Sequence, residues 1–210
     1  MKRFIHLSTY AAAIIFLSLQ TPAFAQAPQG KSVTIRGKIA TVEGQSLNVA
    51  TKDGEVTVRL PADVRIGGVE SARLSDIKSG EYVGTTAVKQ SDSNLKALEV
   101  HIFPESARGT GEGHRPWDLQ PGSTMTNANV EKVEQVAVEK VQGSMLTLKY
   151  KDGEQKVFIP PGTPIVKNVS ADRSQLKEGA GVFIPAVRGA DGTVTATRVT
   201  VGVGGTMPPM

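Results

Sequence analysis

The amino-acid sequence predicts a mostly β protein made of two tandem five-stranded β-barrels, each with one short helical turn. Three observations support this prediction. Residues 42–100 recur as residues 141–199 without a gap. Apolar and polar residues alternate with the period of two that half-buried strands require. The strand-like runs are separated by Asp-Gly and other pairs that form tight turns.

The internal repeat is the strongest of these observations. A shift of 99 residues places Lys52-Asp53-Gly54-Glu55 on Lys151-Asp152-Gly153-Glu154, and 21 of the 59 aligned positions are identical. Ordinary residue usage would give only a handful of such matches. The mature chain is therefore predicted to contain two copies of one structural unit.

The first half of each unit is predicted to hold three strands. Ser32–Val42 alternates loosely, and Leu47–Val49 and Val56–Leu60 alternate more regularly around a turn at Asp53-Gly54. Glycine adopts positive φ without steric cost, so this pair favours a tight hairpin. Pro61 is predicted to end the third strand because it has no N–H to donate.

The second half of each unit is predicted to hold a helical turn and two strands. Residues 71–80 indicate the turn, which Gly80 closes. Residues 81–88 and 95–102 are the strands, joined through Asp92-Ser93-Asn94. Three strands, a helical turn and two strands is the order of the OB-fold, a partly open five-stranded barrel. An open meander or sandwich of the same strands is the alternative.

The N-terminus has the pattern of a secretory signal peptide. Lys2 and Arg3 precede the apolar stretch Tyr10–Leu19, and Ala23-Phe24-Ala25 is a small-x-small cleavage site. We therefore expect an exported, periplasmic and soluble protein. The alternative, an uncleaved anchor, needs roughly 20 apolar residues. No other apolar run is long enough to span a bilayer, which argues against a permease or channel.

Composition narrows the function classes further. The formal net charge is +4, of which Lys2 and Arg3 supply two, and no cysteine is present. The second and third strands of the first unit also lack the aromatic residues on which OB-folds stack bases. We therefore expect no nucleic-acid partner, and stability without disulfides.

These patterns divide the chain into six segments. They are the signal peptide 1–25, an N-terminal lead 26–31, an OB-like repeat 32–103, a Gly/Pro-rich linker strap 104–130, a second OB-like repeat 131–203 and a flexible tail 204–210.

The repeated motifs carry a family resemblance. G-x-x-L-x-V/L, K-D-G-E, a proline, L/I-K-x-G and D-x-x-x-x-A-x-x-V occur in both units. Over residues 32–203 the chain resembles a family of small exported bacterial proteins with a repeated OB-like β domain of unknown function. The resemblance implies a β-rich, non-enzymatic module and no particular ligand.

The stretch Gly109–Leu119 holds most of the candidate ligand-binding residues. Trp117 is the only tryptophan, and we expect it to be at least half buried between the units. Arg115 is predicted to stack on an aromatic ring or to pair with Asp118. His114 completes this group, and Tyr150 of the second unit is a further candidate. The alternative is a purely structural strap that clamps the two barrels.

The function predicted from these features is binding or scaffolding in the cell envelope, without catalysis or a cofactor. The partner would be an envelope protein, an oligosaccharide or a peptide, and exposed strand edges could add a partner's strand. An envelope hydrolase using Glu112, His114 and Asp118 is one alternative, although no nucleophile elbow or zinc-protease motif accompanies them.

Copper-type metal binding is the other alternative. Imidazole and thioether groups suit copper in an oxidising compartment. The chain offers both, and the candidate ligands are His101, His114, Met125, Met207 and Met210. The histidines have no H-x-H partner, so metal binding is not predicted as the primary function.

Overall fold

A computed structural model describes residues 30–90, 94–138 and 141–209. The predicted signal peptide and residues 26–29 lie outside the described residues. Strands account for 61% of the structure, and no helix reaches seven residues. In the described part of the chain the strands are β1 Lys31–Glu43, β2 Ser46–Thr51, β3 Gly54–Arg59, β4 Arg65–Ser71, β5 Tyr82–Lys89, β6 Leu95–Ile102, β7 Gly113–Pro116, β8 Ser123–Val138, β9 Val141–Tyr150, β10 Gly153–Ile159, β11 Ile165–Ser170, β12 Gly181–Arg188, β13 Val194–Ala196 and β14 Arg198–Gly202.

A closed five-stranded barrel is present. β2 pairs antiparallel with β1 and β3, β3 pairs parallel with β13, and β12 closes the circle against β13 and β1. Ile35 of β1 lies opposite Ile184 of β12, and both are buried in the barrel core. The prediction of a β-barrel is therefore confirmed.

The source of the barrel strands differs from the prediction. Three strands come from the first half of the chain and two from the second, whereas we expected each repeat to close its own barrel. Five further strands, β5, β6, β8, β9 and β10, are paired in a second continuous ring. Each half thus contributes strands to both rings.

Two strands that the sequence patterns did not predict, β4 and β11, carry the chain from one ring to the other. They pair antiparallel with each other, with Asn168 opposite Val69. β4 also pairs parallel with β14, and β11 pairs parallel with β6. The two rings are therefore joined in one hydrogen-bonded sheet.

The interior of each ring is aliphatic, as the sequence predicts. Burying each large aliphatic side chain stabilises the folded state by roughly 1.5–3 kcal/mol. The first core comprises Ile35, Ile39, Leu47, Val49, Val58, Leu60, Leu176, Val182, Ile184, Ala186, Val194, Ala196, Val199 and Val201. The second comprises Ile77, Val83, Ala87, Leu95, Ala97, Val100, Ile102, Ala128, Val130, Leu146, Leu148, Val157 and Ile159.

Local turn predictions agree with the structure. β3 begins at Gly54, whose φ of 119° requires glycine. A short 3₁₀ turn at Leu74–Asp76 lies inside the predicted helical segment, and Gly80 ends that segment with a φ of 89°. Most of the Asp92-Ser93-Asn94 turn lies outside the described residues.

The predicted irregular linker, residues 104–130, is more regular than expected. It contains a 3₁₀ turn at Glu105–Ala107, the strand β7 and the first half of β8. β7 pairs antiparallel with β8, with His114 opposite Thr126. The linker pattern was ambiguous because β7 is only four residues long and itself begins with Gly113 and ends with Pro116.

The tail also differs from the prediction of a flexible end. The Val203 N–H donates to the Val69 carbonyl at 2.8 Å, and the Thr206 hydroxyl accepts from the Ser71 N–H at 3.1 Å. These bonds join the tail to β4 as far as Thr206. Among the described residues, no helix is both long and apolar enough to cross a membrane.

Candidate functional site

Two of the predicted site residues, Arg115 and Trp117, contact each other at β7. Arg115 is on this strand, and its guanidinium carbon lies 5.7 Å from the centre of the Trp117 ring. The Arg115 Nη1 also donates to the Gly111 carbonyl at 2.7 Å. Trp117 is partly buried, and its N–H is enclosed without a hydrogen-bond partner among the described residues. The stacking predicted for Arg115 is therefore observed.

Asp118 does not pair with Arg115 but reaches β1 of the barrel. Its carboxylate accepts from the Arg36 guanidinium at 2.7 Å and from the Thr34 hydroxyl at 3.0 Å. Desolvation raises the pKa of Asp118, but the bonds from Arg36 and Thr34 outweigh it, and the pKa lies below its ordinary value. Arg36 also lies over the Phe183 ring. The Trp117–Asp118 segment is therefore fixed to the barrel.

A cavity of about 240 Å³ lies where β4, β6, β8, β11 and β14 meet, beside Trp117. Val100 and Ile102 of β6 face the second core, so His101, which alternates with them, faces outward into this junction. The cavity is lined by Gly67, Gly68, Gly84, His101, Phe103, Thr110, Gly111, Arg115, Trp117, Met125, Asn127, Asn168, Val169, Arg198 and Thr200.

Two polar side chains of the cavity wall are buried with unused hydrogen-bonding atoms. His101 is 1% exposed, and its Nε2 has no hydrogen-bond partner among the described residues. Asn127 is 6% exposed, and its Oδ1 is also unpaired there. Buried polar atoms without partners each cost about 1–3 kcal/mol. Such atoms in a cavity wall suit a ligand that would satisfy them.

The remaining contacts of these two residues hold them in place. The His101 Nδ1 lies 3.4 Å from the Asn168 Oδ1, and the Asn127 amide donates to the Thr110 carbonyl at 3.1 Å. The His101 Nε2 lies 3.8 Å from the Oε1 of the buried Glu99, beyond hydrogen-bond distance, and this carboxylate accepts from the Thr86 hydroxyl at 2.5 Å. The cavity wall is therefore rigidly braced.

Glycines allow the backbone to approach the cavity. A Cβ on Gly84 would lie 2.7 Å from the Asn127 Oδ1 and 2.9 Å from the Phe103 ring, so a side chain does not fit there. A Cβ on Gly67 would meet nothing within 4 Å. Gly67 therefore borders open space, which a larger side chain would fill.

The other predicted site residues lie elsewhere. Tyr150, at the end of β9, packs against the second core, and its hydroxyl accepts from Gln155 at 3.3 Å. The His114 ring nitrogen Nδ1 lies 2.8 Å from the Thr126 hydroxyl. Neither residue lines the cavity.

The arrangement required for the hydrolase alternative does not occur among the described residues. Glu112 accepts from the Lys151 N–H at 3.1 Å, whereas His114 contacts Thr126 and Asp118 binds Arg36. Three different partners thus hold the three candidate residues, and no hydrogen bond joins Glu112 to His114.

The copper ligands considered from the sequence are only partly brought together. His101 and Met125 line the same cavity, but Met207 is exposed and borders a different one with Arg188. Met210 lies outside the described residues. Within the described ranges, no group of three or more His, Cys, Asp or Glu side chains could hold a metal ion.

The cavity residues that were not predicted as site residues include Gly67, Asn127, Asn168 and Arg198. They lie on four different strands, so no local motif connects them. His101 was considered only as a metal ligand. Its position between the core residues Val100 and Ile102 was the available signal that it faces away from the barrel interior. No protein-family model, curated protein or solved structure matches this chain.

Proposed function

We propose that this protein is an exported, non-catalytic binding protein of the bacterial cell envelope, and that the cavity beside Trp117 is its binding site. The observation that carries the proposal is the pair of buried, unpaired polar atoms on His101 and Asn127 in the wall of an open space. Ligand sites are typically mostly apolar cavities with a few convergent polar groups. The signal-peptide pattern at the N-terminus supports export.

We further propose that the two halves are copies of one unit that have exchanged strands. β3 begins at Gly54 and β10 at Gly153, and β5 and β12 begin at Tyr82 and Gly181, a separation of 99 residues in each case. The same interval separates identical residues in the sequence. On this interpretation both rings are OB-like barrels, and the cavity lies at the junction between the copies.

The cavity residues differ between the copies, which supports a specialised site. At the 99-residue interval, His101 corresponds to Thr200, and both line the cavity from opposite copies. Gly84 corresponds to Phe183, whose ring packs under Arg36 instead of bordering the cavity. A junction that served packing alone would have no need of these differences.

Photocrosslinking in intact cells tests the proposed site. A photoreactive residue replacing Trp117 is expected to capture a small molecule, detected as an adduct in the intact mass of the purified protein. The same residue at Tyr150, outside the cavity, is the matched control. Adding Gly67→Leu is expected to abolish the adduct because leucine would fill the open space.

The outcomes separate the candidate roles. An adduct at Trp117 that Gly67→Leu removes supports the cavity as the binding site. Capture of a protein at Trp117 and Tyr150 alike would favour scaffolding, and no capture at either position would contradict a binding function.

A further inference from the structure

The charged side chains that line the cavity are all basic. Arg115 and Arg198 contribute guanidinium groups and His101 an imidazole, while none of the described lining residues is Asp or Glu. The buried Glu99 carboxylate, which is not part of the lining, lies 3.8 Å from the His101 Nε2 and accepts from the Thr86 hydroxyl. The two guanidinium groups, by contrast, have no carboxylate beside them in the lining.

Arg198 lies at the rim of the cavity, where it is exposed to solvent. Its guanidinium forms no side-chain hydrogen bond or ion pair with another described residue. Arg65 lies directly opposite Arg198 on β4. Desolvation, and then the like charge of Arg65, lowers the pKa of the Arg198 guanidinium. A bound anion would offset this like-charge repulsion.

Arg115 is also positioned to bind an anion. It is held against the Trp117 ring, and its described hydrogen bond uses only Nη1. The planar guanidinium group matches the geometry of a carboxylate or a phosphate, either of which it binds through two parallel hydrogen bonds. The cationic groups therefore favour a ligand with an anionic group, of which a carboxylate is the smaller kind.

Apolar side chains form a large part of the remaining lining. Phe103, Trp117, Met125 and Val169 supply aromatic and aliphatic surface. A cavity of about 150 Å³ accommodates one benzene ring, and this cavity measures about 240 Å³. The space therefore suits a single ring with one acidic substituent.

Given the binding function proposed above, on which this inference rests, we propose that the cavity binds a small organic carboxylate with a ring-sized apolar body. The carboxylate lies between Arg115 and Arg198, and the ring lies against Trp117 and Phe103.

The test uses the sole tryptophan as a reporter. Trp117 fluorescence and thermal shift are measured with benzoate, with its neutral isostere benzamide, with acetate and with phenyl phosphate. Benzoate is expected to bind at least about tenfold more tightly than the other three. Arg198→Gln is expected to remove the preference for benzoate over benzamide. Arg59→Gln, an exposed arginine on β3 outside the cavity, is the matched control.

Gly67→Leu distinguishes failure of this inference from failure of the proposed site. If benzamide or phenyl phosphate binds as tightly as benzoate and Gly67→Leu blocks both, the cavity is a binding site but the carboxylate class is wrong. Binding that Gly67→Leu leaves unchanged would contradict the cavity itself. Absence of any benzoate binding up to about 10 mM would overturn the carboxylate proposal.

Discussion

The Asp118 carboxylate accepts a hydrogen bond of 2.7 Å from the Arg36 guanidinium, although 82 positions separate the two residues. Arg36 lies on β1, and Asp118 directly follows the only tryptophan in the chain. This contact fixes the Trp117 segment to the barrel wall. The position of the cavity therefore depends on a polar contact outside either core.

Asp118→Asn is expected to lower the free energy of unfolding at pH 7 by no more than about 1 kcal/mol, because both side chains are partly exposed to solvent. The pKa of Asp118 is lowered in the folded protein, so its contribution is present above the ordinary value of 3.8 and is lost as pH falls through the folded value. Urea denaturation of both proteins at pH 7 and at about pH 3 measures this difference.

The control for this prediction is Asp53→Asn. Asp53 pairs with its neighbour Lys52 at 2.9 Å in full contact with solvent, so its loss should leave stability unchanged at either pH. An equal loss for Asp118→Asn at both pH values would argue against an ionic role for the contact with Arg36.

Two glycines of the cavity wall are expected to respond oppositely to alanine. Gly84→Ala places a methyl group 2.7 Å from the Asn127 Oδ1, and overpacking of this kind costs about 1–3 kcal/mol. Gly67→Ala meets no atom within 4 Å, and we expect a change of less than about 1 kcal/mol in the stabilising direction. Urea midpoints measure both effects, and similar losses for the two variants would contradict the open space at Gly67.

How much of this structure the sequence could predict depends on how local each feature is. The turn at Gly54, the helical segment ending at Gly80 and the aliphatic cores follow from residues close together in the chain, and these predictions agree with the structure. β4 was missed because Gly67 and Gly68 interrupt the apolar alternation that indicates a strand.

The pairing of β1 with β12 could not be predicted because the two halves of the chain offer β1 nearly equivalent partners. Val187 and Val88, which are 99 positions apart, are identical, so local pattern alone does not show which of them lies beside β1. The cavity could not be predicted for a related reason, since Arg198 and His101 come from different halves and line one cavity only in the folded structure. The sequence shows the chemical groups that line the cavity, but it does not show that they lie together.

His114 is expected to titrate below its ordinary pKa of 6.5, because partial burial beside Thr126 disfavours the imidazolium form. Because the pKa of His114 is lower in the folded protein than in the unfolded chain, the contribution of His114 to stability is fully present above pH 6.5. This contribution is lost as the pH falls below 6.5. An NMR titration of the ring protons measures the midpoint in native protein and in denaturant. A native midpoint at or above the denatured one would contradict the burial effect.

Strand exchange predicts which engineered disulfide will form. Ser32 on β1 lies opposite Val187 on β12, and the absence of cysteine from the chain provides a clean background. Residues opposite each other on antiparallel strands have Cα atoms about 4.5–5.5 Å apart, a range that a disulfide spans. The variant Ser32→Cys/Val187→Cys is therefore expected to oxidise within one chain, as measured by mass spectrometry and by mobility on a non-reducing gel. In an unexchanged arrangement β1 would instead lie beside β5, so the matched variant Ser32→Cys/Val88→Cys would oxidise, and that result would overturn the exchange.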